Sequence, residues 1–416
     1  MFRWKIWVKT LNKTLVITQK KDQTILMAIL DGTKAVELRL SPPEEKERSL
    51  VGNIYIGKVR RVQKNIDSAF VEIANHTQCY YSIPANPNPF YTTKGNSSRI
   101  IEGDELLVQV KRDGLKTKLP AVSGNIELAG QYLILVGNDT QIGISGKLSA
   151  ESRKQLRGWM EPFVTERYGF IVRTNAGTAS REEIEKEAHS LAEQYENLLH
   201  HAPYRTCFSL LKGPDPAWIE MMRDTYLADL EKIVTDVPLI YDSLHRYLQQ
   251  NQPQLTEHLQ LYQDDLLPLI KLYRLEHAIE EALKEQVWLK SGGYLVIQPT
   301  EALTVIDVNT GKYSEKKVRR ETLRKINLEA AAESARQIRL RNLSGIILID
   351  FINMEQEEDK KELMEYLSQL LLRDPVKTRL IDMTKLELVE ITRKKVRKTL
   401  REQVASLKVS NNTTHT

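Results

Sequence analysis

Two short apolar runs, each carrying an aspartate at or near its end, constrain this chain more than any other feature. The first is Thr304-Val305-Ile306-Asp307-Val308-Asn309 and the second is Ile346-Ile347-Leu348-Ile349-Asp350. Both have the length and β-branched composition of buried strands. Some thirty residues of helical pattern separate them, with Val318, Leu323, Ile326, Ala330, Ala335 and Ile338 at roughly helical spacing. Strand, helix and strand of that size predict a βαβ crossover, which makes the strands parallel and brings both ends to one edge of a sheet. Neighbouring strands lie about 4.8 Å apart, so Asp307 and Asp350 come within reach of a single cation. Asn309, two residues on, faces the same side and adds a neutral oxygen donor. Hard oxygen ligands with room for water suit Mg²⁺, with Mn²⁺ as the alternative, better than zinc.

Each aspartate taken singly reads first as a cap on the turn that follows it. The pair, flanked by Lys316, Lys317, Arg319, Arg320, Arg324 and Lys325, points instead to a metal centre that meets phosphate. A P-loop is set aside. Gly311-Lys312 resembles its tail, but position 307 holds Asp where that motif needs Gly, and Tyr313 replaces the Ser or Thr.

The runs Ile306-Asp307-Val308-Asn309-Thr310-Gly311, Asn327-Leu328-Glu329-Ala330-Ala331, Ala335-Arg336-Gln337-Ile338-Arg339-Leu340-Arg341 and Ile349-Asp350-Phe351-Ile352-Asn353-Met354 resemble the catalytic domain of the ribonuclease E/G family. The resemblance covers nearly the whole chain, most densely from about 290 to 400. It implies an α+β multidomain fold in which an S1-type OB fold is inserted in an RNase H-like subdomain, followed by a 5′-sensor region and a DNase I-like α/β catalytic domain. The implied boundaries are 1–48 and 211–288 for the RNase H-like parts, 49–125 for the OB fold, 126–210 for the sensor, 289–405 for the catalytic domain and 406–416 for a disordered tail. In the family the positions matching Asp307 and Asp350 hold a catalytic Mg²⁺, and the position matching Asn309 assists. Where members usually carry a second aspartate after Phe-Ile, this chain has Asn353.

The remaining segments agree with that outline. Residues 4 to 40 alternate apolar and polar, with Asp31-Gly32 as a hairpin turn, and predict a small antiparallel meander. From Val51 to Arg112 the chain becomes short Gly-punctuated strands with exposed aromatics and basic residues, the pattern of an OB fold that stacks single-stranded bases and neutralises phosphates. Phe70, Tyr80 and Lys118 match the family's RNA contacts. Adjacent Tyr80 and Tyr81 point to opposite faces of a strand and cannot both be buried on one. A strand is expected over Leu128–Val136 and a helix over Ser149–Glu166. Arg173-Thr174 follow the strand-like run Tyr168-Gly169-Phe170-Ile171-Val172, where a guanidinium fork and a hydroxyl suit phosphate oxygens. The resemblance makes this pair the grip on a 5′-terminal monophosphate. Family members commonly have Arg after Ile-Ser upstream, whereas here Ile144-Ser145 precedes Gly146. Further on, helices are expected over Pro216–Asp229, with Asp215 as cap, and over Leu266–Leu289, with a strand over Thr235–Tyr241. His245, His258 and His277 fall at no metal-ligand spacing.

Composition narrows the partners. The net charge of +5 is modest, but Lys and Arg cluster, which favours a polyanion. No apolar run approaches the length of a bilayer span, and the N-terminus lacks a signal-peptide pattern, so a cytoplasmic protein without membrane contact is expected. Cys79 and Cys207 show no CxxC spacing. With no cysteine after Cys207, the zinc link that joins two chains in the family is expected to be missing, by nature or by truncation, and a monomer or weak homo-oligomer is expected. The implied activity is a Mg²⁺-dependent endoribonuclease that cuts single-stranded RNA and favours 5′-monophosphorylated ends, in RNA processing or decay. The rival is a non-catalytic RNA-binding or ribosome-assembly factor of the same fold.

Overall fold

The structure, a computed structural model, describes residues 13–42, 49–93, 99–114, 118–225, 230–311 and 320–412. The chain divides into two compact units, Met1–Lys46 with Thr225–Thr416, and Glu47–Asp224.

The first unit contains two sheets. One has five strands in the order Leu259–Leu261, Leu230–Thr235, Lys13–Gln19, Ile25–Asp31, Lys34–Ser41. Its last three strands are the expected meander, turning at Gly32, whose φ of +58° suits glycine. Leu230–Thr235 joins Lys13–Gln19 in parallel, so segments distant in sequence share one sheet. Two expectations in this region are corrected. The strand expected over Thr235–Tyr241 ends at Thr235, and Pro238 opens a helix, Pro238–Asn251, in whose first turn a missing N–H costs nothing. The single helix expected over Leu266–Leu289 is broken into Leu269–Leu272 and Leu275–Leu283 by Arg274 in the left-handed region, φ 51°, and ends in a strand, Gln286–Trp288. The helix expected from Pro216 runs as Ala217–Asp224.

The other sheet has six strands in the order Gln286–Trp288, Tyr294–Pro299, Leu303–Asn309, Gly345–Asp350, Leu388–Arg393, Thr378–Met383. Its one parallel pair is Leu303–Asn309 with Gly345–Asp350, joined by the predicted crossover helix Arg320–Leu340. Leu295, Ile297, Ile306, Val308, Ile347, Ile349, Val389 and Ile391 point to one face and pack with Ile326, Ala330 and Ile338 of that helix and with Leu363 and Leu367 of the helix Glu357–Leu372. Each such large aliphatic side chain contributes about 1.5–3 kcal/mol on burial. Because side chains alternate along a strand, this registry turns Asp307, Asn309 and Asp350 to the face away from the helices. A final helix, Leu400–Asn412, runs through the start of the tail expected to be disordered from 406. Thr399 and Glu402 cap it reciprocally, Glu402 Oε2 accepting the Thr399 N–H at 2.6 Å and Thr399 Oγ1 the Glu402 N–H at 3.3 Å.

In the second unit, Ile54–Gln63, Ser68–Glu72, Gln78–Ser82, Ala121–Ser123 and Glu105–Arg112 form a closed OB-like barrel, since the first of these strands also pairs with the last. Register shifts after Val59 and Val110 let the strands curve. A four-stranded sheet, Ile142–Ile144, Tyr168–Val172, Leu133–Gly137, Glu127–Ala129, packs with the helices Ala150–Met160 and Arg181–His201. The strand expected over Leu128–Val136 is split by a turn at Gly130–Tyr132, with consequences for Arg173. Among the described residues no helix is long and apolar enough to cross a membrane.

Candidate active site

Asp307 and Asp350 are direct partners across the parallel pair. Asp307 is half-buried and Asp350 exposed, on the helix-free face. Asn309 donates Nδ2–H to Asp307 Oδ2 at 2.7 Å, which orients that carboxylate and leaves the amide oxygen of Asn309 available. Partial burial, and then the charge of Asp307, push the Asp350 carboxyl above its ordinary value. Two like charges side by side are stabilised by a shared cation. Among the described residues no group of three or more His, Cys, Asp or Glu is arranged to hold a metal ion. The donor set is therefore two carboxylates and an amide oxygen, which fits a hard divalent cation such as Mg²⁺ and not a thiolate- or imidazole-bound zinc.

The flanking basic run behaves differently from its expected role. Lys316, Lys317 and Arg319 lie outside the described residues, and Arg320 and Arg324 turn to acids of the following helix. Arg320 Nε reaches Asp359 Oδ2 at 2.7 Å and Arg324 Nε reaches Glu362 Oε2 at 2.5 Å. Both guanidinium groups brace helix against helix.

Two further residues of the crossover helix, unnoticed as functional in the sequence, hold the loops on either side of the carboxylates. Asn327, fully buried, donates Nδ2–H to the Ile352 carbonyl at 2.7 Å and accepts the Ile352 N–H at 3.1 Å, pinning the chain just after Asp350. Glu329 accepts the backbone N–H groups of Lys290 (2.6 Å) and Ser291 (3.0 Å). That loop packs directly on the end of the first aspartate strand. A Cβ on Gly293 would lie 2.8 Å from the Asn309 carbonyl, and one on Gly311 would collide with the Gly292 carbonyl. The signal in the sequence was a buried-face asparagine in an otherwise apolar helical stripe, which needs partners wherever it sits.

On the barrel, Phe70 and Tyr80 are cross-strand partners and both are half-buried, while Tyr81 is fully buried in the barrel core. Lys118 is exposed, two residues before Pro120, whose carbonyl accepts the Tyr80 N–H at 2.8 Å. Phe70 and Tyr80 are thus neighbours on the barrel, and Lys118 lies on the segment that leads into the strand beside Tyr80.

Arg173 and Thr174 follow the strand Tyr168–Val172. Arg173 donates Nη1–H to the Gly130 carbonyl at 2.7 Å and Nη2–H to Asp224 Oδ1 at 2.6 Å. The Thr174 and Ser145 hydroxyls lie 2.8 Å apart. Beneath them Glu187 accepts the backbone N–H groups of Gln131, Tyr132 and Leu133 at 2.5, 2.7 and 2.8 Å. Its burial pushes the carboxyl above its ordinary value despite those donors. Gly130 has no room for a side chain, since a Cβ would lie 2.5 Å from the Glu187 carboxyl carbon. Two nitrogens of the guanidinium thus have protein partners, the Gly130 carbonyl and the Asp224 carboxylate.

The chain is a mixed α+β protein with an OB-like barrel in one unit and an aspartate pair on adjoining parallel strands in the other. It belongs to the ribonuclease E/G family, whose family model matches residues 127–396. It is 35% identical over 370 residues to ribonuclease G of Haemophilus influenzae, covering 86% of this chain and 74% of that protein. Identity to ribonuclease G of Escherichia coli K12 is 33% over 388 residues, with 90% and 78% covered. Ribonuclease E of a Nostoc species is 35% identical over 355 residues, with 83% of this chain and 51% of that protein covered.

Proposed function

We propose that this protein is a metal-dependent endoribonuclease that cuts single-stranded RNA and favours 5′-monophosphorylated ends, in RNA processing or decay. The observation that carries the reading is the register pairing of Asp307 with Asp350, in a chain whose relatives are ribonucleases. Asp307 and Asp350 would hold Mg²⁺, with Mn²⁺ as the alternative. When bound, that ion supplies Lewis-acid stabilisation of charge at a scissile phosphate. Asn309 fixes the orientation of Asp307, and Asn327 and Glu329 keep the flanking loops from moving the carboxylates apart. Phe70 and Tyr80 offer faces on which bases stack, and Lys118 neutralises a phosphate. Arg173 and Thr174 take a 5′-phosphate, Arg173 exchanging the Asp224 carboxylate for a phosphate oxygen. In this reading the five-stranded sheet is the RNase H-like part, the sheet beside Arg173 the 5′-sensor and the six-stranded sheet the DNase I-like catalytic part. A monomer or weak homo-oligomer is the working assembly, read by native mass with and without Mg²⁺.

The test compares wild type with Asp307→Ala on an oligoribonucleotide carrying a 5′-monophosphate or a 5′-hydroxyl. Expected are Mg²⁺-dependent cuts by the wild type, faster on the monophosphate, and none by the variant. RNA binding without metal-dependent cutting would favour the non-catalytic factor instead.

A further inference from the structure

The sheet that carries the aspartate pair also presents two aromatic rings on the same face. Trp288 pairs with Tyr294, Tyr294 pairs with Asn309, and Val296 pairs with Asp307. Directly opposed residues of an antiparallel pair point to one side, so Trp288, Tyr294, Asn309, Asp307 and Asp350 line a common face. The Trp288 and Tyr294 ring centroids lie 5.2 Å apart at 57°. Trp288 is 62% exposed, while its neighbours Val287 and Leu289 pack into the core on the other side of the sheet. Core packing therefore does not account for the indole. Its strand is at the sheet edge, two strand spacings, or about 10 Å, from Asn309. The loop between the two aromatic strands is clamped by Glu329, which accepts the backbone N–H groups of Lys290 and Ser291 and so fixes the strands that carry the rings.

We propose that Trp288 and Tyr294 form a stacking platform for a nucleobase of single-stranded RNA next to the scissile phosphate, and so set where the chain is cut. The proposal rests on reading Asp307 and Asp350 as the cutting site. Every base has a π face, so such a platform tolerates sequence but requires an unpaired base, and the neighbouring carboxylates require its phosphate. A stacked base held at a fixed offset from the carboxylates selects one linkage for cleavage.

The experiment uses the full chain, an oligoribonucleotide with single abasic residues placed in turn on either side of the cut, and the variants Trp288→Ala and Trp288→Phe. Trp288→Ala is expected to raise KM about ten-fold or more, with kcat nearly unchanged and Trp288→Phe close to wild type. One abasic position should cost the wild type as much as the alanine substitution does, and should cost Trp288→Ala nothing more. Equal losses at every abasic position, or wild-type kinetics for a folded Trp288→Ala, overturn the platform. So does a change in native mass with unaltered RNA kinetics, which would give this face to a second copy of the chain. Asp307→Ala in the same assay separates the two ideas. If it still cuts, the cutting site itself was misread; if it is inactive while Trp288→Ala is normal, only the platform falls.

Discussion

The aspartate pair and the Arg173 site both place charge at strand ends, and they are built in opposite ways. Asp307 receives one amide N–H from Asn309, and no donor among the described residues reaches Asp350. Arg173 instead gives hydrogen bonds to Gly130 and Asp224, on a turn that Glu187 fixes from below. One site holds two like charges side by side; the other cancels its charge internally. Unmatched charge costs stability and favours an external cation, whereas a matched pair is stable alone and makes any anion compete with the resident carboxylate. On the proposed function, the first is preset for a cation and the second takes its phosphate by exchange.

The largest effect expected from this contrast is on cleavage. Asp350→Asn should lower the rate by about 10³-fold while leaving the melting temperature unchanged or higher, because repulsion from Asp307 is relieved. A marked fall in melting temperature would show that Asp350 has a structural partner and would remove the contrast. Next comes the support beneath it. Asn327→Ala leaves the Ile352 N–H and carbonyl unpaired and should cost about 2–3 kcal/mol in urea unfolding, with cleavage reduced as well. A neutral result would separate that helix from the site.

The exchange site predicts smaller changes. Arg173→Ala should abolish the ratio of cleavage between 5′-monophosphate and 5′-hydroxyl RNA, and Asp224→Asn, which keeps the shape and removes the competing charge, should raise it several-fold. Ratios that stay at the wild-type value in both variants would detach this site from 5′ ends. The smallest expected effect is on pH. A carboxyl held above its ordinary value binds its proton more tightly in the folded state, so in chelator the contribution of Asp350 destabilises at neutral pH. That penalty shrinks as pH falls through the raised value and is gone below the unfolded value. Unfolding midpoints of wild type minus Asp350→Asn, measured from pH 7 to pH 4, should rise on acidification. Mg²⁺ affinity should weaken over the same window, because the proton competes for the carboxylate; the opposite slope would sink the account.

Much of the six-stranded sheet was legible because its signals are local. The runs around Asp307 and Asp350 are short, β-branched and bounded, and the helix between them keeps its apolar spacing to Leu340. The Gly32 turn is local in the same way. Errors arose where one residue overrides a run. Arg274 in a left-handed conformation breaks an otherwise continuous helical pattern, and Pro238 begins a helix where β-branched neighbours suggest more strand. Tyr80 and Tyr81 were separable by alternation, and Trp288 was not, because a three-residue edge strand has too few positions to show a period.

Read alone, the chain determined the two strands around Asp307 and Asp350, the crossover helix between them and the pairing that sets the aspartates side by side, since these depend on alternation and on the handedness of a short connection. Only the tertiary structure decided which charges are matched. Arg320 and Arg324 turn to a neighbouring helix, Arg173 meets Asp224, and Glu187 reaches beneath the turn at Gly130. Those partners lie tens of residues away in sequence, and a charge-assisted hydrogen bond needs its two atoms placed within about 3 Å, a precision that periodicity along one segment does not carry.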